Sequence, residues 1–299
     1  MKVFLTGASS GIGEALARHY AGRGATLGLV ARRRELLERL RDALGVPAEV
    51  YKCDVRDIAA LSSAAAAFQA KHGVPDLVIA NAGVSFGTLT EHEEDAATFR
   101  EVHDVNVLGL VHTFHPFIAG MRARGHGTLA GIASVAGVRG LPGASAYSSS
   151  KAAAINYLEA LRLEMRRSGV KVATICPGFI ATPMTAKNPY PMPFLLSADE
   201  AAEKIVAIIV PTPVARYPGY VFANGFLLWR KLLDAFGRSF LNDQPWLGIE
   251  HHRSSESLVN RATSKDLYIG VVRWRWFRCG HRVCRANDGR RNQEQSHSK

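Results

Sequence analysis

Thr6-Gly7-Ala8-Ser9-Ser10-Gly11-Ile12-Gly13 follows directly on the apolar run Val3-Phe4-Leu5 and leads into an Ala/Leu/Arg-rich stretch with helical spacing. Strand, three-glycine loop and helix in that order make a dinucleotide-binding turn. One glycine allows the tight bend, a second lets backbone N–H groups approach a pyrophosphate, and the third lets helix and strand pack closely. Phosphates then lie at a helix N-terminus, where unpaired amides and the helix dipole favour negative charge. Alone, the three glycines read equally well as an ordinary βα turn.

Outward from this loop, residues 1–250 alternate short β-branched runs with amphipathic stretches, as repeated βα units do. Strands are expected at 2–5, 26–31, 49–52, 77–80, 127–134 and 171–176, and helices at 13–22, 33–44, 58–72, 96–124, 146–167 and 199–210. The runs at 27–31 and 77–80 are apolar throughout, as strands of a parallel sheet covered on both faces are. One doubly wound α/β domain over residues 1–248 is the simplest organisation. Beyond it the periodicity stops and Arg, Ser, Asn and His become frequent, which marks 249–299 as a basic, flexible tail.

Of 299 residues, 47% are apolar and 21% charged, which excludes wholesale disorder. No apolar run reaches the roughly 18 to 20 residues of a membrane span, and the N-terminus lacks signal-peptide character. Four scattered cysteines build no disulfide framework and fit a reducing compartment, so a cytoplasmic location is expected. The net charge of +11 is concentrated in the tail: residues 251–299 hold 11 Lys and Arg against 4 Asp and Glu, leaving 26 against 22 for the rest.

At the end of the second strand, where NAD-binding folds place a carboxylate for the ribose hydroxyls, the chain reads Val30-Ala31-Arg32-Arg33. A carboxylate would repel a 2′-phosphate, whereas an arginine makes a bidentate, charge-assisted contact to it. NADP is therefore favoured over NAD, with Arg32 the better candidate as phosphate ligand; Arg32, Arg33 and above all Arg34 also read as the opening of a solvated helix.

Further on come Asn81-Ala82-Gly83, then Asp104-Val105-Asn106-Val107, and then Ser134, followed thirteen residues later by Tyr147-Ser148-Ser149-Ser150-Lys151. Tyr and Lys at i and i+4 share one helix face. A phenol has a pKa of about 10 and becomes a usable proton shuttle when a neighbouring ammonium stabilises its phenolate. With the G-x-x-x-G-x-G spacing of the loop, this ordered set resembles the short-chain dehydrogenase/reductase family over roughly residues 1–245.

The resemblance implies a Rossmann-type, three-layer α/β/α domain and an Asn106-Ser134-Tyr147-Lys151 catalytic set. Tyr147 would be the acid/base for a small-molecule carbonyl or secondary alcohol, Ser134 would hold the substrate oxygen, and Asn106 would keep a relay water. Lys151 would lower the phenol pKa and, with Tyr147, touch the nicotinamide ribose. The cofactor would further meet Gly7, Ser9, Ser10, Gly11, Ile12, Gly13, Asn81, Ala82, Gly83, Pro177, Gly178, Ile180 and Thr182. Asp54 resembles the family's acid near the adenine, although it also reads as a helix cap before Ile58. A homodimer or homotetramer pairing through the helices of Asn106 and Tyr147 is implied as well.

Residues 184–196 carry Met184, Tyr190, Met192, Phe194, Leu195 and Leu196 among helix-breaking prolines, as a lid over an apolar substrate or a segment packed on the core would. Two other functions are conceivable. One is a catalytically silent NADP sensor, against which the intact Ser-Tyr-Lys set speaks. The other is a tail that binds nucleic acid or an anionic membrane through the seven arginines between Arg273 and Arg291 and their neighbours Trp274, Trp276 and Phe277. An incidental extension explains the tail without a partner. Cys279 and Cys284 lack zinc-finger spacing, and no metal site is assigned. Phe226, Trp229, Leu233 and Phe236 suggest an amphipathic helix packed within the protein or a dimer.

Overall fold

The computed structural model describes residues 1–186, 188, 191–209 and, for the backbone alone, 221–222. All belong to the first of the two units into which the chain divides, Met1–Asp243. Pro189, Tyr190, Val210, the expected helix around Phe226, the boundary at 248 and the tail with Cys279, Cys284 and its arginines lie outside the described residues.

Seven parallel strands, β1 (Lys2–Thr6), β2 (Thr26–Ala31), β3 (Ala48–Lys52), β4 (Leu77–Ala80), β5 (Gly127–Ile132), β6 (Val170–Cys176) and β7 (Val221–Phe222), form one sheet in the order β3-β2-β1-β4-β5-β6-β7. The six expected strands are all there. β7 adds two residues paired with Ile175 and Cys176, a segment too short to show a period.

Successive side chains of a strand face opposite sides, and β1 shows both buried. Val3 and Leu5 enter one core with helices α1 (Gly11–Ala21), α2 (Arg34–Leu44) and α7 (Ala198–Ile209). Phe4 enters the other, with α3 (Ile58–His72), α5 (Gly109–Arg124) and α6 (Ser145–Glu164). There it meets Phe117 and Phe68, at 4.7 and 5.6 Å between ring centroids. This double burial is why these strands read as unbroken apolar runs, and it produces the three-layer, doubly wound fold.

The expected helix over 96–124 is divided. Helix α4 (Asp95–His103) passes into a π-helical turn, Asp104–Leu108, before α5 begins. The π turn admits an extra residue per turn and carries Asn106, 1% exposed, against the loop after β4. Asp57, not Asp54, caps α3: its side chain accepts from the N–H groups of Ala59 and Ala60.

Candidate active site

The strand order reverses between β1 and β4, so the connections leaving their carboxyl ends diverge and open a crevice, where open α/β sheets bind ligands. A cleft of about 250 Å³ lies there. On the β2–β3 side it is lined by Arg32, Arg33 and Asp54; at its centre by Gly7, Ser9 to Ile12 and Asn81 to Gly83; and on the β5–β6 side by Ser134, Tyr147, Lys151, Pro177, Gly178, Ile180 and Thr182. Residues singled out from seven separate stretches of sequence thus share one cavity. Gly13 and Asn106 do not line it and act from behind.

Gly13 explains the glycine loop. A Cβ there would lie 2.1 Å from the carbonyl oxygen of Gly7 and 2.6 Å from Nδ2 of Asn81, so no side chain fits. Gly7 takes φ +69°, a conformation that L side chains rarely adopt. Asn81 Nδ2 donates to the carbonyls of Thr6 and Gly7, and the Thr6 hydroxyl accepts from the N–H groups of Asn81 and Ala82. The loop is thereby fastened to the end of β4. Ser10, at the start of α1, makes no side-chain cap, which leaves the first amides of α1 without the usual partner. Its hydroxyl instead accepts from Arg33 Nη2 at 2.8 Å, and Ser9 accepts from the same nitrogen at 2.9 Å. A close-packed backbone cradle, a helix end free of a competing cap and a neighbouring guanidinium form a donor set fitted to phosphate groups.

The sequence favours Arg32 for the phosphate and leaves Arg33 between that role and a solvated helix opening; in the structure Arg33 lines the cleft beside Arg32. The signal that could have found it is its place just before α2, where an extended backbone (φ −93°, ψ 94°) turns it away from the helix surface. Asp54 also lines the cleft. Its carboxylate pairs with Arg56 at 2.7 Å, and that guanidinium holds its pKa below the usual value.

Ser134 lies two residues beyond the last ladder residue of β5, in extended backbone, and its Oγ accepts from the N–H of Ala136. The short turn that follows meets α6 through Gly137, where a Cβ would stand 2.5 Å from the carbonyl carbon of Lys151. That close approach sets Ser134 opposite one face of α6. Tyr147 and Lys151 share the face as expected, with Nζ 5.7 Å from the centre of the phenol ring. Burial pushes the Tyr147 phenol above its ordinary value, and a hydrogen bond with Ser134 works in the opposite sense. Lys151 is 4% exposed, donates to the carbonyl of Ile132 at 2.8 Å, and is lowered by burial to about 8. One bond leaves two of its three N–H groups for a ligand.

Asn106 accepts from the N–H of Val84 and donates through Nδ2 to the Val84 carbonyl and the Ser150 hydroxyl, at 2.8, 2.9 and 3.0 Å. Both its N–H groups are committed, so its side chain ties the loop after β4 to α6. Ser150, whose Oγ in turn donates to the carbonyl of Tyr147, had no sequence signal of its own beyond adjacency to Lys151. Among the described residues no helix is long and apolar enough to cross a membrane.

Residues 1–191 match the short chain dehydrogenase family. An uncharacterised oxidoreductase of Myxococcus xanthus is 41% identical over 202 residues, covering 67% of this chain and 79% of its own length. A putative ketoacyl reductase of Streptomyces coelicolor is 34% identical over 221 residues, 71% and 83% of the two chains. Among solved structures, a 3-ketoacyl-(acyl-carrier-protein) reductase from Brucella melitensis complexed with NADH is similar with a TM-score of 0.65 at 26% identity, covering 70% of this chain and 90% of that one. With a family match over nearly two thirds of its residues and relatives of this similarity, the chain belongs to the short-chain dehydrogenase/reductase family and is an oxidoreductase of the kind that works with a nicotinamide cofactor.

Proposed function

We propose that this oxidoreductase uses NADP(H) and interconverts a carbonyl and a secondary alcohol on a small, largely apolar molecule, with Tyr147 as acid/base. The observation that carries the proposal is the continuity of one cleft from Arg32 and Arg33, past the glycine loop, to Ser134, Tyr147 and Lys151. The residue that ends β2 is Ala31, so no carboxylate there opposes a 2′-phosphate. The NADH in the Brucella structure belongs to that protein; the two arginines favour the phosphorylated cofactor in this one.

When bound, the nicotinamide supplies or accepts the hydride at the carbonyl carbon. In reduction, the Ser134 hydroxyl holds the substrate oxygen and stabilises the charge that develops on it. The Tyr147 phenol gives that oxygen its proton, leaving a phenolate beside the Lys151 ammonium; oxidation runs the transfer backwards. Lys151 Nζ holds the cofactor ribose with the N–H groups not used by Ile132. Asn106 serves as a positioning residue, because its bonds to Val84 and Ser150 fix the loop and helix between which the substrate enters.

We further propose that residues 1–248 contain the whole activity and that 249–299 are an incidental basic extension. The protein would act in the cytoplasm as a homodimer or homotetramer, as members of the family often oligomerise. The test of function is a screen of ketones and aldehydes with the purified protein, following NADPH absorbance. Consumption of NADPH with at least one carbonyl class is expected. Unaltered absorbance across the panel, with NADPH bound, would favour a silent cofactor-binding protein instead.

A further inference from the structure

Ten large apolar side chains are exposed among the described residues, and five of them, Phe86, Val138, Met184, Phe194 and Leu195, sit on the three loops that leave β4, β5 and β6. Those loops border Ser134 and Tyr147. Phe86 lies between Val84, which lines the cleft and bonds Asn106, and Thr88, which bridges to Ala144 and accepts from the N–H of Ala146, one residue before Tyr147. Val138 ends the turn that starts at Ser134. Met184 lines the cleft itself.

Phe194 is the most telling of the five. It is 65% exposed and is the one non-glycine among the described residues at positive φ, +58°. L side chains rarely adopt that conformation, and such outliers persist where the surrounding chain holds them. Here it does: Ala181 N–H donates to the carbonyl of Leu196 at 2.8 Å, and Leu196 N–H donates to that of Phe179 at 3.1 Å, which pins the segment to the exit of β6 beside Ile180. A strained backbone thus displays a phenyl ring to solvent next to the cleft, where burial of the ring in the protein offers no compensation.

Charge points the same way. The charged side chains lining the cleft are Arg32, Arg33 and Asp54, on the β2–β3 side, and Lys151, already bonded to Ile132. Arg139, next to Val138, is engaged within the chain.

Resting on the proposed carbonyl chemistry, we infer that the substrate is an uncharged ketone or aldehyde whose carbonyl heads a long apolar chain, and that Phe194 with Phe86 and Val138 clasps that chain outside the catalytic cleft. The three loops leave adjacent strands at the catalytic end of the cleft, and Met184 carries the apolar lining into the cleft itself, which suits a single elongated molecule better than a lipid surface.

The experiment measures kcat/KM with NADPH for unbranched 2-ketones of increasing length and for an ω-carboxylated analogue of the longest. Each methylene covered by the rim should raise kcat/KM by about fourfold until the rim is filled, and the carboxylated analogue should be poorer than its uncharged partner. Phe194→Ala and Phe86→Ser should flatten the dependence on length, while Ile58→Ser, at the start of α3 and 45% exposed, should leave it as in the parent. Phe194→Gly, which removes both ring and strain, should flatten it equally. Turnover of every ketone with no dependence on length, or preference for the carboxylated analogue, would overturn this inference and leave the carbonyl chemistry standing. Absence of turnover with any ketone or aldehyde would overturn the chemistry itself. Sedimentation with phosphatidylcholine vesicles, lost in Phe194→Ala while the length dependence stayed unaltered, would identify the rim as a lipid-docking surface and also overturn it.

Discussion

Arg33 donates to the hydroxyls of Ser9 and Ser10 from a single nitrogen, at 2.9 and 2.8 Å, so the residue ahead of α2 is bound to the loop ahead of α1. A guanidinium held at that point has further N–H groups to offer a phosphate. Arg32→Ala and Arg33→Ala should each weaken NADPH binding by roughly ten- to a hundredfold, the cost of a charge-assisted bond of about 1.5 to 3 kcal/mol. NADH affinity should change far less, and Ala31→Asp with Arg32→Ala should reverse the preference. Fluorescence titration of both cofactors checks this; equal affinities in the parent protein would remove the case for NADP.

Replacing the phenol alone separates binding from chemistry. Tyr147→Phe should lower kcat by about a hundred- to ten-thousandfold and keep NADPH affinity within a few fold, because the ring still packs beside Lys151. Retained turnover in that variant would dismiss Tyr147 as the acid/base.

Much of this site was legible in the chain because its parts recur in a fixed order on fixed elements. The glycine loop follows a strand, and Tyr147 and Lys151 share a helix face. What escaped the sequence is physical in origin. A π turn changes the number of residues per turn without altering which residues are apolar, so 96–124 reads as one helix although Asp104–Leu108 breaks it. Two adjacent arginines are indistinguishable until the backbone angle ahead of α2 aims Arg33 at the loop. Asp54 and Asp57 both precede Ile58, and only the structure shows that Asp57 takes the cap while Asp54 pairs with Arg56.

Glycine substitutions test the packing directly. Gly13→Ala would place a methyl 2.1 Å from the Gly7 carbonyl oxygen, a backbone atom with no room to retreat. Overpacking costs typically 1 to 3 kcal/mol and occasionally more, so a loss of about 3 kcal/mol or failure to fold is expected. Gly140→Ala meets nothing within 4 Å and should be neutral. Chemical denaturation of the two variants compares them; equal midpoints would contradict the close approach of loop and helix.

Truncation after Gly248 should preserve folding and NADPH-linked turnover, because every residue given a role in the site precedes residue 197. The truncated and full chains would also be compared for binding to DNA, RNA and anionic vesicles over a range of salt, since charge-driven association weakens as salt rises. Selective, salt-resistant binding by the full chain alone would show that the tail has a partner. Loss of turnover on truncation would assign the tail's aromatic residues to the enzyme core.

Lys151 sets function against stability. Its ammonium is buried and donates to the carbonyl of Ile132, and burial lowers its pKa from 10.5 to about 8. That difference corresponds to about 3 kcal/mol against the charged form, of which losing the bond to Ile132 would give back about 1 kcal/mol. Lys151→Met should therefore abolish turnover and yet stabilise the cofactor-free protein by about 1 to 2 kcal/mol at neutral pH. The sign with pH follows from proton counts. Between about 8 and 10.5 the unfolded chain keeps the lysine proton that the folded chain has released, so the stability of the parent rises with pH across that window. The variant lacks that slope, and its advantage should be widest below about pH 8 and close towards pH 10.5. Denaturant titrations of both proteins across that range check it, and a stability difference independent of pH would mean that Lys151 is solvated rather than buried in the free enzyme.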